Sequence, residues 1–196
     1  MKTWADFHEF CNADVPGVST ITAERELRRA AQHFCAQTKV WKEDLDPAYI
    51  FPGIDIYDVD APPKTTIVKI TQISLNGYPI FLNAAEPQTN SGVEFLSPVR
   101  FRIQPKPVAR AKLAIAAVLQ PAHDATGIAD ELFMLYAEVI GMGAKAKLYA
   151  QPQKSYSNAA QAVYERESFD SAIARIKITA AKAYSGAPLR TRPSFF

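Results

Sequence analysis

Several groupings in this 196-residue chain bring chemistry-bearing side chains close together in sequence. His8 and Cys11 stand three apart and His33 and Cys35 two apart, residue types that ligate zinc. On a helix His33 and Cys35 would point about 200° apart, too divergent to reach one ion. Cys35 is therefore expected as a small buried side chain, His33 at the surface, and no metal is expected. The acidic string Asp55-Ile56-Tyr57-Asp58-Val59-Asp60 suggests a calcium loop but lacks the glycine and distal glutamate of that spacing. It reads as a solvated loop. Asp44 and Asp46 flank Leu45 and could form an acid–base pair, but nothing nearby supplies a nucleophile or oxyanion donors, so a helix end and turn are expected. Gly141-Met142-Gly143 resembles half of a dinucleotide fingerprint, yet it falls inside a helical stretch with no strand before it. There is no G-x-S-x-G elbow and no glycine-rich phosphate loop. No enzymatic activity and no cofactor are expected.

The last ten residues, APLRTRPSFF, are a different kind of signal. Two prolines, two arginines and the terminal Phe195-Phe196 cannot bury those rings against their own backbone. Either the segment is disordered, or its aromatics dock in a partner with the arginines pairing at the rim. Composition alone leaves both open.

The elements that must position these residues follow from periodicity. In TAERELRRAAQHFCAQTKVW, Leu27, Ala30, Ala31, Phe34 and Thr38 recur at three- and four-residue steps, predicting a helix capped by Thr22 and ended by Asp46-Pro47. Residues 48–63, rich in Pro, Gly and Asp, read as an ordered loop. Ile67, Ile70 and Ile73 give imperfect alternation before an Asn76-Gly77 turn signal and YPIFL, a first hairpin. Val99, Phe101 and Ile103 alternate with Arg100, Arg102 and Gln104, and QPKPVA links them to Ala111, Leu113, Ile115 and Ala117, a second hairpin. EPQTNSG between the hairpins reads as a polar loop.

The last third is helical in pattern. One helix is predicted over about 128–150, with Leu132, Leu135, Tyr136, Val139, Gly143 and Ala146 on one side and small residues inviting close approach by another backbone. Asn158 with Gln161 resembles a capping box for the next. Positions 162, 166, 169, 173, 176, 180 and 183 then form a seam, apolar or small except at Arg166. A helix of about 27 residues and roughly 40 Å follows, implying an elongated protomer.

Composition fits this reading. With 48% hydrophobic residues and a net charge of +2, the chain is no disordered polymer. The longest apolar run, 113–119, falls far short of the roughly 20 residues that cross a bilayer, so no membrane contact is expected. Asp6 and Glu9 stand where a signal peptide would need an apolar stretch, and two cysteines make no disulfide framework. Residues 1–60 carry −5, residues 61–140 carry +1 and residues 141–196 carry +6. The basic rear could contact nucleic acid, but its charges sit among apolar residues at helical spacing, as on the wet side of a helix. Opposite-signed ends also suit packing against charged neighbours.

The order of these elements resembles a known family. RELRRAAQHFCAQTKVWKEDLDP, a β middle of two hairpins, GAKAKL and a YSN-capped helix of the form A…F…I…A are similar to the head-to-tail adaptor (connector) proteins of bacteriophages, over about residues 16–190. Ala129, where a proline would be expected, and Tyr156, where a tryptophan would be, depart from that pattern. The resemblance implies a structural virion protein at the head–tail junction, made in the host cytoplasm. It implies a homo-oligomeric ring, commonly a dodecamer, seated on the portal protein and receiving a tail or nozzle protein. Genomic DNA would pass its channel during ejection without sequence-specific binding. The expected fold is α+β and mainly helical, an elongated helix bundle (1–47 and 120–186) with a loop and β-hairpin domain (48–119) and an extended C-terminal arm (187–196). Leu189, Arg190, Arg192, Phe195 and Phe196 are the expected portal-binding residues; Gly143, Ala144, Phe169, Ile173 and Ile176 are the expected helix-packing residues. The alternatives are another tail ring component, a terminator or completion protein, or a nucleic-acid-binding module.

Overall fold

A computed structural model describes residues 1–80 and 92–181. Of these, 41% are helical and 29% lie in strands, distributed over three sheets. The chain is therefore α+β with a large share of strand, and is not the mainly helical bundle expected above. The expectation underweighted the strands because several are only three residues long, too short to show a period. Two compact units make up the fold, one formed by Met1–Trp4 with Trp41–Phe133, the other by Ala5–Val40 with Met134–Phe196.

Among the described residues the first unit holds ten strands. In chain order they are β1 (Lys2–Thr3), β2 (Lys42–Asp44), β3 (Ala48–Ile50), β4 (Ile56–Asp58), β5 (Thr65–Leu75), β6 (Tyr78–Ile80), β7 (Gly92–Ser97), β8 (Arg100–Gln104), β9 (Ala111–Pro121) and β10 (Gly127–Ile128). Strands β1 and β10 form a small pair. A larger antiparallel sheet runs β2–β9–β5–β6, with β3 also on β9, and a second runs β4–β8–β7. Ile67, Ile70, Ile73, Leu113, Ile115, Ala117 and Leu119 of the larger sheet are buried in one cluster with Val93, Phe101 and Ile103 of the smaller. The two sheets thus pack face to face.

The step of three between Ile67, Ile70 and Ile73 has a geometric cause. Register shifts fall between Ile67 and Lys69 and between Ile70 and Gln72, so Val68 and Thr71 are each an extra residue against β9. Each bulge restores the inward face one position later, and the three isoleucines pair with Leu119, Ala117 and Ile115, all inward on a regular strand. At the far end, Asn76 (φ 49°) and Gly77 (φ 85°) supply the positive dihedrals of a two-residue hairpin turn.

The strands depart from two sequence expectations. Residues 48–63 are not all loop, since β3 and β4 lie within them. Strands β8 and β9 are not a hairpin: β8 pairs with β7 and β4, whereas β9 is central to the other sheet.

The second unit contains α1 (His8–Cys11), α2 (Thr20–Thr38), most of α3 (Asp130–Tyr149) and α4 (Ala159–Ala181). Ser19, not Thr22, caps α2: its Oγ accepts from the Thr22 backbone N–H. The helix ends at Thr38, earlier than expected, on Lys39 in the left-handed region (φ 56°). Leu27, Ala30, Ala31, Phe34 and Thr38 are all buried, and Phe34 lies 5.0 Å from the Tyr136 ring. Asn158 Oδ1 accepts from the Gln161 N–H at the start of α4. On that helix the inward residue between Ala162 and Phe169 is Glu165, while Arg166 of the expected seam is exposed.

Candidate interaction surfaces

The sequence groupings resolve into structural roles. Cys11 and Cys35 are both fully buried, and burial pushes each thiol up to about 12 from an ordinary 9.0. Among the described residues no three His, Cys, Asp or Glu side chains are placed to hold a metal ion. His33 is exposed and lies 5.9 Å from the Phe169 ring.

Thiols held at about 12 make an expectation. Ellman's reagent at pH 8 is expected to find no reactive thiol in the native protein and two in denaturant. The folded pKa values lie above the unfolded ones. Their contribution to stability is thus complete below pH 9 and is lost as pH rises toward 12. Chemical melts between pH 8 and 11 should show stability falling from about pH 9 upward. A native thiol that reacts within seconds at pH 8 would contradict the placement.

The acidic string 55–60 is no loop throughout: β4 occupies its centre. Asp58 takes a bidentate pair from Arg100 (Nε to Oδ1, 2.6 Å; Nη2 to Oδ2, 3.1 Å), and those hydrogen bonds hold its carboxyl below the usual range. Asp55 is 3.7 Å from both Arg102 and Lys106. These carboxylates have cationic partners on β8 and the loop after it, an arrangement that ties β4 to its neighbours. Asp44 lies in β2, an exposed strand, rather than at a helix end.

Of the expected helix-packing residues, Gly143 and Phe169 meet within the second unit. A Cβ on Gly143 would stand 2.7 Å from Phe169 Cζ, so the ring lies directly on the glycine. A Cβ on Gly141 would stand 2.6 Å from the Phe10 carbonyl oxygen, and here it is backbone that approaches. Ala144 is fully buried, Ile173 is buried and Ile176 half-buried. Leu135, expected on the inner side, is 58% exposed. Leu189, Arg190, Arg192, Phe195 and Phe196 lie outside the described residues.

Sequence reasoning missed two buried carboxylates. Glu26 on α2 is met by Arg25 (2.9 Å) and Arg29 (3.3 Å). Glu165 on α4 is met by Lys145 Nζ at 3.2 Å, and the same ammonium donates to Asp14 Oδ2 at 2.8 Å. Burial alone would lower the Lys145 pKa, but Asp14 and Glu165 outweigh it and raise it. The heptad-like spacing that places residue 165 one step before Arg166 was the available signal.

On the first unit an aromatic cluster faces solvent. Tyr49 and Phe51 are about half exposed, and the Arg110 guanidinium lies 4.2 Å from the Tyr49 ring centre and 5.8 Å from that of Phe51. Val108, in the same loop as Arg110, is 93% exposed. The backbone beneath is braced: Tyr57 Oη donates to the Ile54 carbonyl (2.6 Å) and accepts from the Phe51 N–H (3.3 Å), and the Gly53 N–H donates to the Pro107 carbonyl (2.9 Å). Residues separated by 60 positions in sequence thus form one patch, because Tyr49 pairs with Lys112 across β3 and β9.

No protein-family model matches the chain, and no curated protein matches it.

A second surface lies at the edge of β5. Among the described residues only β6 pairs on the side away from β9, and only along 73–75. The remaining edge borders a cleft of ≈ 490 Å³ lined by residues 68–71 and 95–98. Its two bulges twist the backbone out of ladder geometry, which protects an edge from pairing with stray strands. No described helix is long and apolar enough to cross a membrane.

Proposed function

We propose that the chain is a structural adaptor of a bacteriophage virion. Copies of it form a ring on the portal protein at the head–tail junction, receive a tail or nozzle protein, and leave a channel for the genome. The resemblance of RELRRAAQHFCAQTKVWKEDLDP, GAKAKL and the YSN-capped helix to that family supplies the identity of the partners. The observation that carries the reading on the structural side is the braced aromatic patch of Tyr49, Phe51 and Arg110. Half-exposed rings held on a hydrogen-bonded loop, with a guanidinium over them, are suited to anchor a protein interface at low ordering cost. Ring formation is expected only where the portal aligns neighbouring copies.

The test is reconstitution. Purified protein is mixed with emptied, portal-containing heads, pelleted, and the junction imaged at subnanometre resolution. The reading requires a ring of added density beneath the portal that accommodates this fold. Absence of binding to heads, together with DNA affinity falling steeply with salt, would favour the nucleic-acid module instead.

A further inference from the structure

Helix α4 is apolar on two opposite faces. Ala162, Phe169, Ala172 and Ile173 are buried within the unit, whereas Tyr164 and Ile178 on the far side are 63% and 52% exposed. A helix with one wet face needs no such residues there. The exposed positions Ala160, Tyr164, Glu167, Ser171, Ala174 and Ile178 recur at alternating four- and three-residue steps, which keeps them in one narrow stripe.

We infer that this stripe pairs with the same stripe of a second copy, antiparallel and two-fold symmetric. The pairing is self-complementary in volume. Laying the helices antiparallel about position 169 sets Ile178 against Ala160, Tyr164 against Ala174 and Glu167 against Ser171, a large residue on a small one in every layer. It is self-complementary in charge as well. Arg175 is one turn beyond Ser171, within reach of the partner copy's Glu167, so each dimer holds two such ion pairs. Neither Glu167 nor Arg175 is engaged in an ion pair among the described residues. A parallel pairing in register would set Glu167 on Glu167 and Tyr164 on Tyr164, with like charges opposed and volumes mismatched. An isologous contact closes at two copies. One helix pair is smaller than the roughly 1,200–2,000 Å² of a standard interface, so a weak dimer with a dissociation constant of order micromolar is the expected result. The inference stands apart from the adaptor reading, since it concerns the protein free of any head.

Sedimentation equilibrium between about 5 and 300 µM tests it. The unmodified full chain should shift from monomer to dimer across that range. Glu167→Arg and Arg175→Glu alone should each weaken dimerisation at least tenfold, because each opposes like charges twice. Mixing the two single variants should restore a heterodimer to within about threefold of the original affinity, as should combining both changes in one chain. Circular dichroism melts confirm that these exposed substitutions leave the fold intact. A mass that stays monomeric to 300 µM overturns the inference. So does a dimer that ignores both substitutions, or single variants that fail to recover on mixing.

Discussion

Deletion of residues 187–196 is expected to leave a folded, soluble protein that no longer joins portal-containing heads. The buried residues described for both units lie within residues 1–181, and they are expected to hold the fold without the segment. Burying Phe195 and Phe196 in a partner would contribute about 1.5–3 kcal/mol per ring. Docking that orders ten residues of main chain costs on the order of 10 kcal/mol. The rings alone fall short, so Leu189, main-chain hydrogen bonds and pairing of Arg190 and Arg192 with portal carboxylates must supply the remainder. Attachment through several copies in a ring raises the effective concentration of each arm once the first has docked. Co-sedimentation of full-length and truncated protein with emptied heads reads the effect directly. Equal binding by the truncated form would move the attachment to another surface, with the Tyr49–Phe51–Arg110 patch next in line.

Lys145→Met is expected to lower stability by about 3–5 kcal/mol, the cost of leaving a buried carboxylate without its cation. Glu165 is 6% exposed, and apart from Lys145 its described partner is the Gln161 amide, 3.3 Å from Oε1. Lys145 also ties Asp14 to α3, one turn from Tyr149, whose hydroxyl donates to the Asp14 carbonyl at 2.6 Å. For a chain of this size that loss corresponds to a fall in Tm of roughly 6–20 °C. The double variant Lys145→Met with Glu165→Leu separates desolvation from packing. Replacing both charges by apolar groups should recover most of the loss, because the unpaired carboxylate is gone. A double variant no more stable than the single one would mean that Lys145 acts through Asp14 or through packing instead.

Some of this protein was legible from its residues alone. The inner face of α2 was readable from Leu27, Ala30, Ala31, Phe34 and Thr38, the turn at Asn76-Gly77 from its dihedral preference, and the start of α4 from Asn158 and Gln161. The turn and the cap act over four residues or fewer, where both partners of each contact are local, and the α2 face repeats every three or four residues although a partner such as Tyr136 lies far along the chain. The buried face of β8 was readable in Phe101 and Ile103, whereas Val99, read with them, is exposed in the turn before the strand. The helix packing around Gly143 was readable as small residues, but not that the Phe169 ring fills the space.

What remained was decided by residues far apart in the chain. Alternation marks a strand without naming its neighbour, and β8 and β9, six residues apart, went to opposite sheets: β8 pairs with β7 across a two-residue connection and with the distant β4, whereas β9 pairs with β2, β3 and β5. The three-residue step in β5 takes its meaning from the bulges against β9, which no single strand can display. On α4 a phase difference of one residue, about 100°, turned Glu165 inward and Arg166 out, and the cation that makes this tolerable is Lys145 on α3. The aromatic patch joins β3 to the segment before β9 across some 60 residues. Local physics set which segments form helices and turns. Partner choice, the direction each face points and the pairing of buried charges were set by tertiary packing, because their energies depend on groups that only the folded chain brings within reach.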